Sequence, residues 1–261
     1  SWPIGISTIL NLIYLKGDVL ILSLTKFKHE VGVYGAAYKV LDVLTVIPVM
    51  IMGLLLPLLA GSWLVQDRQR FEQLLARSFD VLSLIALPTL VGGIVLAQPI
   101  ITLIGGVEFQ SGASLLAVLM IGLFAVFYGS LFGHTVVALN KQRPMIWGYL
   151  VIAIISLAAY LILIPRSGAI AAAWITVLSE SGIALLTYLM VRRTSQTSLS
   201  LQPFSKALLA ALLMGTVLFP IRESSLLLTV PGGILIYTLT ALALGAFPRE
   251  LMTELRAFRK I

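Results

Sequence analysis

Apolar runs long enough to cross a lipid bilayer follow one another along almost the whole chain. A membrane-spanning helix needs about 20 predominantly apolar residues, because the hydrocarbon core is roughly 30 Å thick. Hydrophobic residues make up 59% of the 261 residues and charged residues only 11%, whereas soluble domains carry about 25% charged residues. The sequence therefore predicts an all-α polytopic transmembrane bundle with eight spans, near residues 3–24, 35–62, 79–103, 113–139, 145–164, 168–190, 204–221 and 226–247.

The basic residues between these predicted spans fall mostly on one side. If the spans cross alternately, twelve of the 18 lysines and arginines lie on one side and four on the other. The remaining two, Lys16 and Lys39, lie within spans. The positive-inside rule places the basic-rich side in the cytoplasm, so we expect a multi-pass protein of the cytoplasmic membrane with both chain ends cytoplasmic. The net charge of +7 is then explained by basic residues that orient the spans in the membrane. No nucleic-acid partner is expected.

Two lysines and two aspartates interrupt the first two apolar runs. A charge at the bilayer centre costs at least about 2.5 to 3.5 kcal/mol on insertion scales, so such groups normally face a partner or a wet cavity. In an antiparallel hairpin around the loop 25–34, Asp18 lies at the depth of Lys39, and Lys16 at the depth of Asp42. We predict these two interhelical pairs. In one interpretation, the two pairs serve only to join the helices. In the other, Lys16 or Lys39 also faces an aqueous cavity and meets an anionic substrate there.

Two further titratable residues lie within predicted spans. Glu180 follows Ser179 and precedes Ser181 and Gly182, which is typical either of a polar helix contact or of a coupling-ion site. His134 is either a hydrogen-bonded histidine of the bundle or a proton relay.

Two connecting segments mix basic and apolar residues at roughly helical spacing. They are residues 66–79 and 248–261. Such segments are typical of amphipathic helices on an anionic cytoplasmic leaflet, or of a simple polar lid whose charges set the topology.

Motifs for catalysis are absent from the sequence. Cysteine is absent, and no phosphate-binding G-x-x-x-x-G-K-[ST] loop, H-E-x-x-H or G-x-S-x-G motif occurs. We therefore expect neither an enzyme nor a cofactor.

Six stretches, in this order, resemble a known transporter family. They are GDVLILSL, EVGVYGAAYKVLDVLTVIP, LLLPLLA, LIGGVEFQSGASLLAVLMIG, VVALNKQRP and LIPRSGAIAAAWITVLSE, within residues 15–190. The set resembles the polysaccharide (O-antigen type, Wzx-like) flippases of the multidrug/oligosaccharidyl-lipid/polysaccharide exporter superfamily. Ala169 and Ala171 depart from the family, which usually has a bulkier residue and a second glycine there.

The resemblance implies a MATE-like transporter with two helical lobes around a central cavity that works by alternating access. Residues 1–190 would form the six-helix C-terminal lobe, and residues 191–261 two trailing transmembrane helices with a cytoplasmic amphipathic tail. The expected partners are a polyprenyl-diphosphate-linked glycan, membrane lipids, a missing N-terminal lobe of the same protein and glycan polymerase machinery.

The resemblance also implies roles for the charged residues within the spans. Lys16 and Lys39 would bind the diphosphate of the substrate in the cavity. Asp18, Asp42 and Glu180 would serve as charge-pair partners or in ion coupling.

Three alternatives share some of these features. A multidrug cation antiporter would expose acidic rather than basic groups to its cavity. A lipid II flippase has the same fold and differs in its substrate. A non-transporting membrane scaffold for glycan assembly would tolerate neutralisation of Lys16 and Lys39 one at a time.

Overall fold

The computed structural model of the protein describes Gly5 and residues 17–247, and within them all regular structure is helical. This confirms the predicted all-α fold for the described residues. After a helical segment at residues 17–25 come seven α-helices: α1 (Lys28–Leu64), α2 (Arg68–Val95), α3 (Ala97–Gly105), α4 (Ala113–Ala138), α5 (Gln142–Ser195), α6 (Gln202–Leu218) and α7 (Leu226–Ala243). Two short 3₁₀ turns lie at Val107–Gly112 and Phe219–Ile221.

Helix α5 is a hairpin of two membrane spans. A straight helix of its 54 residues would be roughly 81 Å long, but Gly168 has non-helical torsions (φ 63°, ψ −147°) and breaks it. The Tyr160 hydroxyl lies 3.3 Å from Thr176 Oγ1, and these residues are equidistant from Gly168 in sequence. Farther from the break, Gly182 lies against the side chain of Ile152. The two halves, α5a before Gly168 and α5b after it, therefore run antiparallel, as the predicted spans 145–164 and 168–190 require.

Six helical regions of the described chain are long and apolar enough to cross a membrane. Counting α5 as two, seven segments of the described chain meet this criterion, as expected of a multi-pass membrane protein. The predicted first span, residues 3–24, lies mostly outside the described residues, and the structure shows its end as the helical segment 17–25.

The start of α2 corrects one prediction. Residues 68–79 do not form a separate helix on the membrane surface but the first turns of α2. The Asp67 side chain accepts a hydrogen bond from the Arg70 N–H at 3.0 Å and caps the helix. Phe71 and Leu75 are buried in the protein core, so the apolar face of this segment packs on the bundle rather than on lipid. The second such segment, residues 248–261, lies outside the described residues.

The predicted span 79–103 is also interrupted. Helix α2 ends at Val95 and α3 begins at Ala97, with a change of direction at Leu96 (φ −97°, ψ 13°).

Helix α4 lies at the centre of the bundle. It is apolar on all sides, and it packs against α1, α2 and α5, as expected for a helix buried all round. Helix α6 packs against α2, with the ring centroids of Phe204 and Phe79 6.2 Å apart. The Phe204 ring also lies 6.5 Å from that of Tyr128 on α4. Helix α7 packs on α6. Whether the chain divides into units at residue 190, as the resemblance implies, stays a prediction.

The turns between crossing segments lie on two faces of the bundle. On one face, Lys26 Nζ donates to the Pro165 carbonyl oxygen at 3.0 Å, and the rings of His29 and Phe109 are 5.7 Å apart. We call this the basic-poor face; it contains the turns at 26–27, 105–112, 165–168 and 219–225. The opposite, basic-rich face contains the turns at 65–67, 139–141, 196–201 and 244–247. Its predicted cytoplasmic orientation stays a prediction.

Close packing of α6 on α2 makes Gly215 sensitive to substitution. A Cβ at Gly215 would lie 2.5 Å from Val91 Cγ1. We expect Gly215→Val to destabilise the protein by about 1 to 3 kcal/mol, the usual cost of overpacking. The measurement is thermal unfolding of the detergent-solubilised protein. Gly232→Val on α7 is the matched control, because a Cβ there meets nothing within 4 Å; equal melting temperatures for the two variants would contradict this packing.

Candidate functional site

A cavity with several polar side chains in a mostly apolar lining lies within the membrane-spanning part of the bundle, between α1, α4 and α5. Its volume is about 330 Å³. A cavity of this size lies at the lower end of the range typical of small-molecule sites, about 300 to 1,000 Å³. The polar side chains that line it are Tyr38, Asp42, Thr45, Ser130, His134, Tyr149 and Glu180.

Helical spacing explains why α1 supplies several of these groups. Tyr38, Asp42 and Thr45 are four and three residues apart, so they lie on one face of the helix. On α4, Ser130 and His134 are four apart, and Gly129 and Gly133 also line the cavity. Since glycine has no side chain, these two positions leave space beside the polar groups.

The cavity brings together two carboxylates that are distant in sequence. Asp42 comes from the exposed surface of α1, and Glu180 is buried on α5b with 5% of its surface exposed. The sequence predicted a functional role for each, and the structure places both in one cavity. Their roles as charge-pair partners or coupling groups stay predictions.

His134 is held by the backbone of its own helix. Its Nδ1 lies 2.8 Å from the Ser130 carbonyl oxygen. Because a carbonyl oxygen only accepts hydrogen bonds, Nδ1 carries the proton and donates, which leaves Nε2 as an acceptor in the neutral ring. The first of the two predicted roles, a hydrogen-bonded histidine of the bundle, matches this contact; a proton relay stays a hypothesis.

Asp18 lies in a buried network of hydrogen bonds. None of its surface is exposed, and its carboxylate accepts hydrogen bonds from the Tyr34 hydroxyl at 2.5 Å and from Thr176 Oγ1 at 3.4 Å. The Tyr160 hydroxyl contacts Thr176 in turn. Asp18 therefore connects segment 17–25 to α1 and to both halves of α5.

These contacts correct the predicted pair between Asp18 and Lys39. Within the part of the chain that the structure describes, no ion pair joins the two residues; Lys39 is exposed on α1. Tyr34 and Tyr38 mark the buried face of α1, and Lys39 follows Tyr38, so it points about 100° away around the helix. Binding of a diphosphate by Lys39 stays a prediction. Lys16 lies outside the described residues, so its pair with Asp42 stays a prediction.

Sequence reasoning missed the aromatic and hydroxyl residues around these acids. Tyr34 and Tyr38 are four apart within an apolar helix and are both buried. A tyrosine that is buried usually finds a partner for its hydroxyl. Two tyrosines at helical spacing beside intramembrane carboxylates were therefore a signal in the sequence for the Asp18 network.

Comparison with known proteins supports the resemblance stated above. Residues 1–114 match a family model described as a polysaccharide biosynthesis protein. No curated protein matches the chain in sequence.

The fold is shared with a solved structure, the lipid II flippase MurJ in an inward closed conformation. The TM-score is 0.76 at 18% sequence identity, and the match covers 96% of this chain and 53% of the flippase chain. The chain thus spans about half of the length of that flippase. At this identity the match shows the fold, and with the family model it confirms the predicted resemblance.

Proposed function

We propose that this chain is the C-terminal part of a flippase that moves a polyprenyl-diphosphate-linked oligosaccharide across the cytoplasmic membrane by alternating access, for surface polysaccharide biosynthesis. The observation that carries the proposal is the fold, shared with a lipid II flippase over 96% of the chain. The match of residues 1–114 to a polysaccharide biosynthesis family model favours a glycan-linked lipid as the substrate.

The exposed surface of α1 is the part of the molecule best suited to a polar substrate. Lys39 and Asp42 are exposed there, within an apolar span whose other exposed residues include Val43 and Val46. A charged group in contact with hydrocarbon is costly. We therefore place this surface against a hydrated path, bounded on its other side by the predicted N-terminal lobe. Lys39 would bind the diphosphate there.

The cavity behind this surface offers groups for ion coupling. Asp42 and Glu180 both line it, together with His134. Binding and release of a cation or proton by these carboxylates would change the charge next to the substrate path. Asp18 accepts hydrogen bonds from Tyr34 and Thr176, and we assign it a structural role.

Deletion of the gene tests the proposed activity. We expect the deletion to accumulate polyprenyl-diphosphate-linked oligosaccharide in the membrane, as measured by mass spectrometry, with unchanged susceptibility to cationic drugs. No accumulation would overturn the proposed substrate.

Replacement of Lys39 tests its role in the site. We expect Lys39→Ala to lower the transport rate about tenfold or more, because a hydrogen bond to a charged group contributes about 1.5 to 3 kcal/mol. The measurement is the accumulated lipid-linked oligosaccharide in a deletion strain complemented with the variant at equal protein level. Lys141→Ala, at an exposed position of the basic-rich face, is the matched control. Full complementation by Lys39→Ala would exclude Lys39 as a ligand and favour the scaffold alternative.

One observation favours a second candidate, a multidrug cation antiporter. Two carboxylates, Asp42 and Glu180, line one cavity within the membrane-spanning part of the bundle. A cation antiporter needs carboxylates of this kind to bind its substrate or coupling ion. New sensitivity of the deletion strain to cationic drugs, restored by the wild-type gene but not by Glu180→Gln, would establish this function instead.

A further inference from the structure

A second cavity lies at the basic-poor face, away from the candidate functional site. Its volume is about 790 Å³. One wall comes from α3 and the following 3₁₀ turn, with Gln98, Thr102 and Gln110; the other comes from the turn between α6 and α7. No function described above uses this cavity.

The turn between α6 and α7 brings one positive and one negative charge into the cavity. Arg222 and Glu223 both line it. The guanidinium carbon of Arg222 lies 4.4 Å from the centroid of the Phe219 ring, a contact that restrains the position of the cation. Ser225 also lines the cavity, but its side chain accepts from the Leu227 N–H and caps α7. Arg222 and Glu223 are the charged residues among the described residues that line the cavity, so a charged ligand would bind to them.

The edge of the cavity is apolar and strongly exposed. Leu103 and Leu227 line the cavity with 75% and 85% of their surfaces exposed, and Phe219 beside Arg222 is 56% exposed. The cavity lies where α3 ends and α7 begins, which is the level of a membrane interface. Acyl chains would cover these side chains there, while the polar groups face the headgroup layer.

We propose that this cavity binds a phospholipid whose zwitterionic headgroup contains a phosphate and a primary amine. The phosphate would lie on Arg222, since a guanidinium matches phosphate oxygens with two parallel hydrogen bonds. The ammonium group would donate to the Glu223 carboxylate. The amides of Gln98 and Gln110 provide further hydrogen bonds, and the acyl chains lie along Leu103 and Leu227.

The pair of charges distinguishes this headgroup from the other common ones. A trimethylated ammonium group has no N–H to donate, so a choline headgroup loses the hydrogen bond to Glu223. A glycerol headgroup has a net negative charge, which the Glu223 carboxylate repels. The site therefore selects for the primary amine.

Native mass spectrometry of the intact protein in detergent, with phosphatidylethanolamine, phosphatidylcholine or phosphatidylglycerol of identical acyl chains, tests the proposal. We expect phosphatidylethanolamine to be retained most strongly. Arg222→Ala should weaken its retention about tenfold, the lower end for a lost charge-assisted hydrogen bond. Glu223→Gln should abolish the preference for phosphatidylethanolamine over phosphatidylglycerol. Neither residue contacts the candidate functional site.

Arg166→Ala is the matched control, since Arg166 is exposed on the same face and does not line this cavity. It should leave lipid retention unchanged. Equal retention of phosphatidylethanolamine by the wild type and Arg222→Ala would overturn the site. An unchanged lipid preference in Glu223→Gln would overturn the role of the amine.

Discussion

Replacing Gly168 with alanine is expected to destabilise the protein by about 2 to 5 kcal/mol, from backbone strain and the loss of a helix cap. Gly168 has φ 63° and ψ −147°, a region that is essentially restricted to glycine. A Cβ at this position would overlap the Glu30 carboxylate, which accepts a hydrogen bond from the Ala169 N–H at 2.8 Å. That carboxylate caps the first turn of α5b, where a negative charge is favourable.

The measurement is the unfolding of the purified protein during titration with a denaturing detergent, with thermal unfolding as a second readout. Gly53→Ala is the matched control, because Gly53 lies inside α1 and a Cβ there meets nothing within 4 Å. The control should be neutral or slightly stabilising, since alanine favours a helix over glycine by up to about 1 kcal/mol.

A double variant separates the two causes of the Gly168 effect. In Glu30→Ala, the carboxylate that Cβ would displace is already absent, so Gly168→Ala should add only the backbone strain, about 1 to 3 kcal/mol. If the changes in the free energy of unfolding of the two single variants add up to that of the double variant, the contact between Glu30 and residue 168 does not contribute to the Gly168 effect. A wild-type melting temperature for Gly168→Ala would contradict the break in α5 itself.

Tyr34→Phe is expected to have the next largest effect, a loss of about 1.5 to 3 kcal/mol, the value for a hydrogen bond to a charged group. The Tyr34 hydroxyl donates to the fully buried Asp18 carboxylate at 2.5 Å. Removal of this hydroxyl leaves the carboxylate with one donor fewer in a medium of low dielectric constant, where an unsatisfied charge is costly. The same detergent titration measures the change.

Tyr188→Phe is the matched control, since it also removes one tyrosine hydroxyl from the bundle. The Tyr188 ring packs against Phe132 at 5.1 Å between centroids, and phenylalanine preserves that contact. We expect the control to change stability by less than about 0.5 kcal/mol, as for most substitutions outside special features. Tyr34→Phe in an Asp18→Asn background should then cost less than in the wild type; an equal cost would exclude Asp18 as the reason for the effect.

Much of the fold could be predicted because the bilayer imposes strong rules on a sequence. The length of each apolar run follows from the thickness of the hydrocarbon core. Two such runs predicted the spans 145–164 and 168–190, and the hairpin of α5 agrees with both. The start of α2 was predicted less well, because mixed basic and apolar residues suit both a surface helix and the first turns of a span.

The candidate site was predictable only in part. Asp42 and Glu180 were conspicuous because charges within apolar runs are rare, and the cavity contains both. The binding partners of such groups were not predictable from depth alone. Asp18 and Lys39 lie at similar predicted depths, yet the hydroxyls of Tyr34 and Thr176 contact Asp18.

The sequence by itself determined the class of the protein, the order of its membrane-spanning helices and the positions of the intramembrane charges along them. These properties depend on the local composition of the sequence and on the rise of an α-helix, which is about 1.5 Å for every residue. Only the tertiary structure decided which side chains meet, since that depends on the rotation of each helix about its own axis. One residue along a helix turns a side chain by about 100°, so Tyr38 is buried while Lys39 is exposed.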